Sequence, residues 1–207
     1  MKRIFTLLAF AVCAFTASAQ TAEEIVNRMD AEMAKYDKER LAMTLDMKIP
    51  IIGSVSSRSY VIGKKMRVEA EVAEKRVITW SDGTTKWTLD PEKKEVVVEN
   101  ETIKKESENE GDVGMFTNIT DGYDVSIKSE TDKVWNIRCK KSKSNKEKDD
   151  PKTMDLVVNK GTYFPQSLTA TLKGITVTMR DLSFDVTEKQ VTFDLADYPG
   201  YTIVDKR

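Results

Sequence analysis

Any chemistry in this 207-residue chain must be done without histidine, since the sequence contains none. That removes the usual general base, the usual zinc ligand and every Ser-His or Cys-His pairing. Acidic residues are plentiful, 34 against 33 basic ones, so carboxylates fall near one another by chance. A chance pair reads as a general acid and base only beside a substrate motif, and none stands beside one here. The densest acidic stretches are Glu106, Glu108 and Glu110 in one run and Asp149-Asp150 in another. They lack the regular spacing and turn glycine of a calcium loop, and they read as solvated loop charge. The residue types point away from an enzyme, a metal centre or a cofactor and toward binding.

The first residues address the chain. Lys2 and Arg3 precede an apolar run from Ile4 to Phe15, and Ala17-Ser18-Ala19 supplies a small-x-small cleavage site. This predicts a secretory signal cut near Ala19 and a periplasmic protein beginning at Gln20. Cys13 raises a lipid anchor, but the bulky Val12 before it is a poor neighbour for such processing, and cleavage after Ala19 needs no anchor. No later stretch approaches the roughly 20 apolar residues of a membrane-spanning helix. Removing residues 1–19 from 207 leaves 188, enough for one domain with a sizeable core. Loss of Lys2 and Arg3 moves the net charge from −1 to −3. Charges of both signs are interspersed, which gives no reason to expect nucleic acid. Cys139 is then the sole cysteine, so an intramolecular disulfide is excluded and stability rests on apolar burial in a chain expected to be monomeric.

The elements that must position a binding surface are mostly strands. Thr21-Ala22-Glu23-Glu24 reads as a capping box, and Ile25, Met29, Met33 and Tyr36 recur at steps of four or three, one apolar stripe of an amphipathic helix. From Leu41 the period changes to two, with Leu41, Met43, Leu45, Met47 and Ile49 alternating with polar or small residues. Further strands are predicted at Arg58–Ile62, Met66–Val72, Arg76–Trp80, Thr85–Leu89 and Glu95–Glu99. After a short helix near Val113, Met115, Phe116 and Ile119 they resume at Asp124–Ser129, Val134–Lys140, Thr153–Val158, Ser167–Leu172, Thr176–Met179 and Val191–Phe193. The strongest local signal is Asp82-Gly83 between two Trp-bearing runs, a hairpin that places Ile78, Trp80, Trp87 and Leu89 on one face. About a dozen antiparallel strands curl under their own twist, and two or three helices would cover one side, giving a mainly β, α+β half-barrel. The Ile49-Pro50-Ile51-Ile52-Gly53 loop is unexpectedly apolar for a hairpin tip. The lysine-rich stretch 140–152 reads as a solvated loop, with a basic docking site as its alternative.

This order of elements, with Ser81-Asp82-Gly83-Thr84-Thr85-Lys86-Trp87-Thr88-Leu89-Asp90-Pro91 and the ending Val191–Leu195 then Pro199–Asp205, resembles the periplasmic outer-membrane lipoprotein carriers, the LolA-like family. The resemblance covers essentially the whole mature chain. It implies a half-barrel of about eleven strands whose helices cover an apolar cavity for acyl chains, without catalysis or cofactor. Its implied partners are lipid or lipoprotein acyl chains, an inner-membrane donor and an outer-membrane acceptor. Under it the cavity lining falls to Met43, Leu45 and Met47 of one strand, Met66 and Val68 of another, and Ile78, Trp80, Trp87 and Leu89 of the hairpin, with Phe116 and Met179. Thioether side chains among these suit flexible chains of varied shape. The helix carrying Ile25, Met29, Met33 and Tyr36 becomes a lid. Where the family has a Lys-Arg-Pro turn that latches the lid, this sequence has Gly63-Lys64-Lys65-Met66-Arg67. Lys64 and Lys65 stand at the latch position without the planar fork of an arginine. The alternative on the same curled sheet is a non-transporting sensor or protein-interaction domain, because fold alone does not decide function.

Overall fold

Thr21 opens the first element as a capping box. Its hydroxyl accepts the Glu24 backbone N–H at 3.2 Å and the Glu24 carboxylate accepts the Thr21 N–H at 3.0 Å, satisfying two orphan donors of helix α1 (Ala22–Met33). Ile25, Val26, Met29 and Met33 form its buried stripe. The stripe does not reach Tyr36. After Met33 the backbone tightens to three-residue hydrogen bonds, Lys35 to Glu32 and Tyr36 to Met33, which turns Tyr36 off the helix face and leaves it 44% exposed. The computed structural model describes residues 20–207 apart from 38, 52, 73, 74 and 102–115. The signal expected at 1–19, the acidic run at 106–110 and Met115 lie outside the described residues.

Strands β1 (Arg40–Ile49), β2 (Gly53–Ile62), β3 (Lys65–Val72), β4 (Lys75–Ser81), β5 (Thr85–Asp90) and β6 (Glu95–Asn100) form one meander. A second consists of β7 (Tyr123–Glu130), β8 (Val134–Lys141), β9 (Thr153–Asn159), β10 (Pro165–Leu172) and β11 (Ile175–Ser183), followed by helix α2 (Glu188–Val191) and β12 (Thr202–Asp205). The spatial order β12-β6-β5-β4-β3-β2-β1-β11-β10-β9-β8-β7 makes one open, curled sheet in which the meanders join at β1 and β11. Ladders are antiparallel except the last, where β12 runs parallel to β6. The strand expected at Val191–Phe193 is not formed. Thr187 and Gln190 make a capping box instead, the Gln190 side chain accepting the Thr187 N–H at 2.8 Å, and this local bond claims Val191 for α2. β2 begins at Gly53, earlier than its sequence suggests, because pairing along the whole of β1 carries a serine-rich stretch with no apolar alternation of its own.

Register divides the apolar residues between the two faces of the sheet. Residues directly opposite one another project to the same side, and neighbours along a strand to opposite sides. One row runs Ala42, Tyr60, Arg67, Trp80, Trp87, Val98, and the next runs Met43, Ser59, Val68, Thr79, Thr88, Val97. The Met43 side continues across the second meander as Leu45, Met179, Leu168, Leu156 and Ile137, and it is this side that α1 covers. The Trp80 side is covered over β4–β6 by the C-terminal segment, through Phe193, Tyr198 and Tyr201. A bulge in β11 opposite Ala42 and Thr44, with Asp181 at φ 55°, re-aims the strand end, and Leu182 and Phe184 pack onto the α1-side core.

Candidate functional site

The α1-side core is closed at its centre and open at one margin. Ile25, Val26, Met29, Leu156, Val158 and Leu168 have no exposed surface, and Phe116 has almost none. At the C-terminal end of α1 the packing ends in a solvent-open groove of about 780 Å³. Its walls are Glu32 and Tyr36 after the helix, Gly161–Phe164 of the β9–β10 turn, and Leu182–Asp185 at the end of β11. A second recess of about 470 Å³ shares Phe164 and Leu182 and runs on toward Arg180. Tyr163, Phe164, Leu182 and Phe184 line the groove and also pack against the buried core, so the groove is the exposed edge of the same apolar layer. Tyr36 stacks on Phe184 at 4.8 Å, while Phe164 meets both rings edge-on at 5.6 and 6.2 Å. Tyr163 is fixed by Arg28, whose Nη1 donates to its hydroxyl at 2.9 Å, and it lies 5.3 Å from the Trp135 ring. The groove's aromatic and aliphatic walls alternate with the polar side chains of Glu32, Thr162, Ser183 and Asp185, and its volume falls within the range of small-ligand sites.

The Asp82-Gly83 hairpin forms as its sequence predicts, with Ile78 opposite Leu89 and Trp80 opposite Trp87. Asp82 accepts from the Thr84 and Thr85 backbones at 2.8 and 2.7 Å, and these bonds hold its carboxyl below its ordinary pKa. Gly83 sits at φ 88° in close contact with Lys64, where a Cβ would be crowded. The two indoles face aromatic side chains of the protein itself. Trp80, 2% exposed, meets Phe193 at 5.4 Å and Tyr198 at 5.6 Å edge-on, and Trp87 stacks on Phe193 at 5.8 Å. From within the sheet, the Arg67 guanidinium lies 5.3 Å from the Trp80 ring and 5.8 Å from Tyr60, its charge met by Glu69 at 2.6 Å.

The residues expected to line one cavity are therefore distributed over two faces. Met43, Met179 and Phe116 lie in the α1-side core, with Leu45 packed against it. Met47, Met66 and Val68 share that face by register and are half-buried. Ile78, Trp80, Trp87 and Leu89 lie on the other side, under the C-terminal segment. Of the latch candidates, Lys65 pairs with Glu188 of α2 at 2.8 Å, whereas Lys64 packs against the hairpin turn. Sequence reasoning missed Phe164, Leu182 and Phe184, which follow turn or bulge geometry rather than a periodic pattern, and it missed the cover formed by Phe193, Tyr198 and Tyr201.

The polar chemistry is structural. Cys139 is fully buried, and desolvation pushes its thiol up to about 11, which leaves it inert at neutral pH. On the side away from α1, Arg138 holds Asp155 through two bonds of 2.6 and 2.9 Å and Arg180 holds Asp46 at 2.5 Å; each arginine keeps its carboxylate below the ordinary range. Among the described residues, no group of three or more Cys, Asp or Glu is arranged to hold a metal ion, and no helix is long and apolar enough to cross a membrane.

No protein-family model matches the chain, and no curated protein matches it. Solved structures do. LprF from Mycobacterium bovis superposes with a TM-score of 0.53 at 10% identity, over 83% of this chain and 96% of that one. A LolA superfamily protein from Nitrosomonas europaea matches over 85% of this chain and 99% of its own at 13% identity, with a TM-score of 0.32. The MucA/MucB complex of Pseudomonas aeruginosa matches over 84% of this chain and 61% of that one at 10% identity, with a TM-score of 0.41. The fold is one that LprF shares. At such identities the likeness speaks for the fold alone, and the ligand has to be read from the groove.

Proposed function

We propose that the protein is a periplasmic carrier that binds the acyl chains of lipids or lipoproteins, non-catalytically, through the open margin of its α1-covered core. The observation that supports this most is the groove of about 780 Å³, whose aromatic and aliphatic walls continue directly into the buried layer under α1. An acyl chain laid along Phe164, Leu182 and Phe184 loses water contact at about 0.8 kcal/mol per buried methylene, so a modest length of chain gives useful affinity without any polar recognition. Release then depends on a partner that displaces the chain or lifts α1, in keeping with a donor at the inner membrane and an acceptor at the outer. The test is native mass spectrometry of the purified protein, with titration by a fluorescent fatty acid. Co-purifying lipid and saturable binding that Phe184→Asp abolishes support the reading. A protein that carries no lipid, binds no fatty acid and recovers one stable protein partner would make it an interaction domain instead.

A further inference from the structure

One end of the sheet carries an apolar side chain in a place that neither burial nor turn chemistry explains. Ile51, at the tip between β1 and β2, is completely exposed at 107% relative accessibility, and its backbone sits at φ 73°. A β-branched residue is disfavoured in the left-handed region, where glycine or asparagine is the ordinary occupant, and an isoleucine with no packing partner gains nothing from the fold in return. Pro50 beside it is exposed as well.

The surroundings of this tip are basic. The β10–β11 tip lies against it, with Gly174 close enough that a Cβ there would be 3.9 Å from Pro50 Cγ. Lys173 of that tip reaches Asp149 at 3.0 Å, which brings the β8–β9 loop to the same end of the sheet, and both side chains are at least 80% exposed. Lys48, Lys173 and the loop residues Lys143, Lys146, Lys148 and Lys152 are all exposed, against three acids in the loop. Those six lysines outnumber Glu147, Asp149 and Asp150, so the charge of these tips is positive although the chain as a whole is slightly acidic.

We propose that this end docks on an anionic lipid bilayer, with Ile51 entering the headgroup region and the surrounding lysines meeting lipid phosphates. An apolar tip set in a basic field is the combination that a negatively charged membrane surface binds, each part being weak alone. The proposal does not depend on an acyl chain in the groove, which lies among other elements.

The full mature chain would be floated with vesicles of phosphatidylethanolamine and phosphatidylglycerol in equal parts, and with vesicles of phosphatidylcholine alone. The expected result is flotation with the first at low salt, little with the second, and release as salt is raised. Ile51→Gly is the informative variant, since it relieves the backbone strain: its melting temperature should hold or rise while flotation falls about tenfold. Leu195→Ser, which removes an exposed apolar residue elsewhere, and Phe184→Asp in the groove should both float like the parent. Flotation of Ile51→Gly equal to the parent, equal flotation with phosphatidylcholine, or no flotation of the parent would each overturn the proposal.

Discussion

The second meander and β1 bury their apolar face under a helix and leave one margin of that layer open to solvent. The first meander buries its opposite face under aromatic side chains of the chain's own end. In the first region the cover, α1, is held mainly by apolar contact, with hydrogen bonds from Arg28 to the Tyr163 hydroxyl at 2.9 Å and from the Asn118 backbone to Asp30 at 3.1 Å, and its layer runs out into a groove at Tyr36, Phe164 and Phe184. In the second the cover is fixed by several kinds of interaction at once: β12 on β6, Lys65 on Glu188, the Arg40 guanidinium on the Val186 carbonyl at 2.6 Å, and the Phe193 and Tyr198 rings on the two indoles. A cover held mainly by apolar contact and two side-chain hydrogen bonds can yield to a ligand of similar chemistry. One tied also by backbone pairing and an ion pair resists it more, which is why binding is assigned to the α1 side although the tryptophan pair looks the more inviting in sequence.

The largest expected effect separates these roles. Trp80→Ala leaves a hole between Phe193, Tyr198 and Arg67, and urea denaturation should report a loss of about 3–5 kcal/mol. Phe184→Asp, at the open margin, should lower the denaturation midpoint by clearly less than Trp80→Ala and weaken fatty-acid binding by tenfold or more. If Trp80→Ala left stability intact and lowered affinity, the two regions would have to exchange roles. Next come the ionisable groups. Asp46 and Asp155 have folded pKa values depressed by Arg180 and Arg138, so their contribution to stability is fully present above about pH 4 and is lost as pH falls through those values. The thiol of Cys139 has the opposite sign: raised to about 11 by burial, it favours the fold below its ordinary pKa and that advantage is lost as pH rises toward 11. Melting measured across pH should slope at both ends, and a thiol reagent at neutral pH should label Cys139 only on unfolding. The smallest effect is Lys65→Ala. Its ion pair with Glu188 is exposed on both sides and screened by solvent, so the denaturation midpoint should hardly move, since backbone pairing and aromatic packing hold the same segment.

Much of the fold was legible because its signals are local. The capping box at Thr21, the strict alternation from Leu41 and the Asp82-Gly83 turn each determine their own neighbourhood. The same locality explains the errors. Alternation says that Met43 and Leu45 share a face and that Trp80 and Ile78 share a face, but only the register through β2 and β3, set by strands with serine and charged residues, says that these faces are different. Thr187-Glu188-Lys189-Gln190 held a capping signal that outweighed the short β-branched run at Val191, and that signal could have been read. The groove could not. It exists because a bulge at Asp181 re-aims Leu182 and Phe184 toward a helix end far away in sequence, and no periodicity records that meeting.

The chain has three tryptophans, and they divide between the two faces: Trp135 on the α1 side, 5.3 Å from Tyr163 of the groove, and Trp80 and Trp87 on the other. Quenching of tryptophan fluorescence by a fatty acid brominated along its chain therefore reads directly which face holds the ligand. A variant with Trp80→Phe and Trp87→Phe should keep saturable quenching, and Trp135→Phe should lose most of it. Quenching that follows Trp80 and Trp87, or that is absent from the parent protein, would contradict acyl-chain binding at the α1 margin.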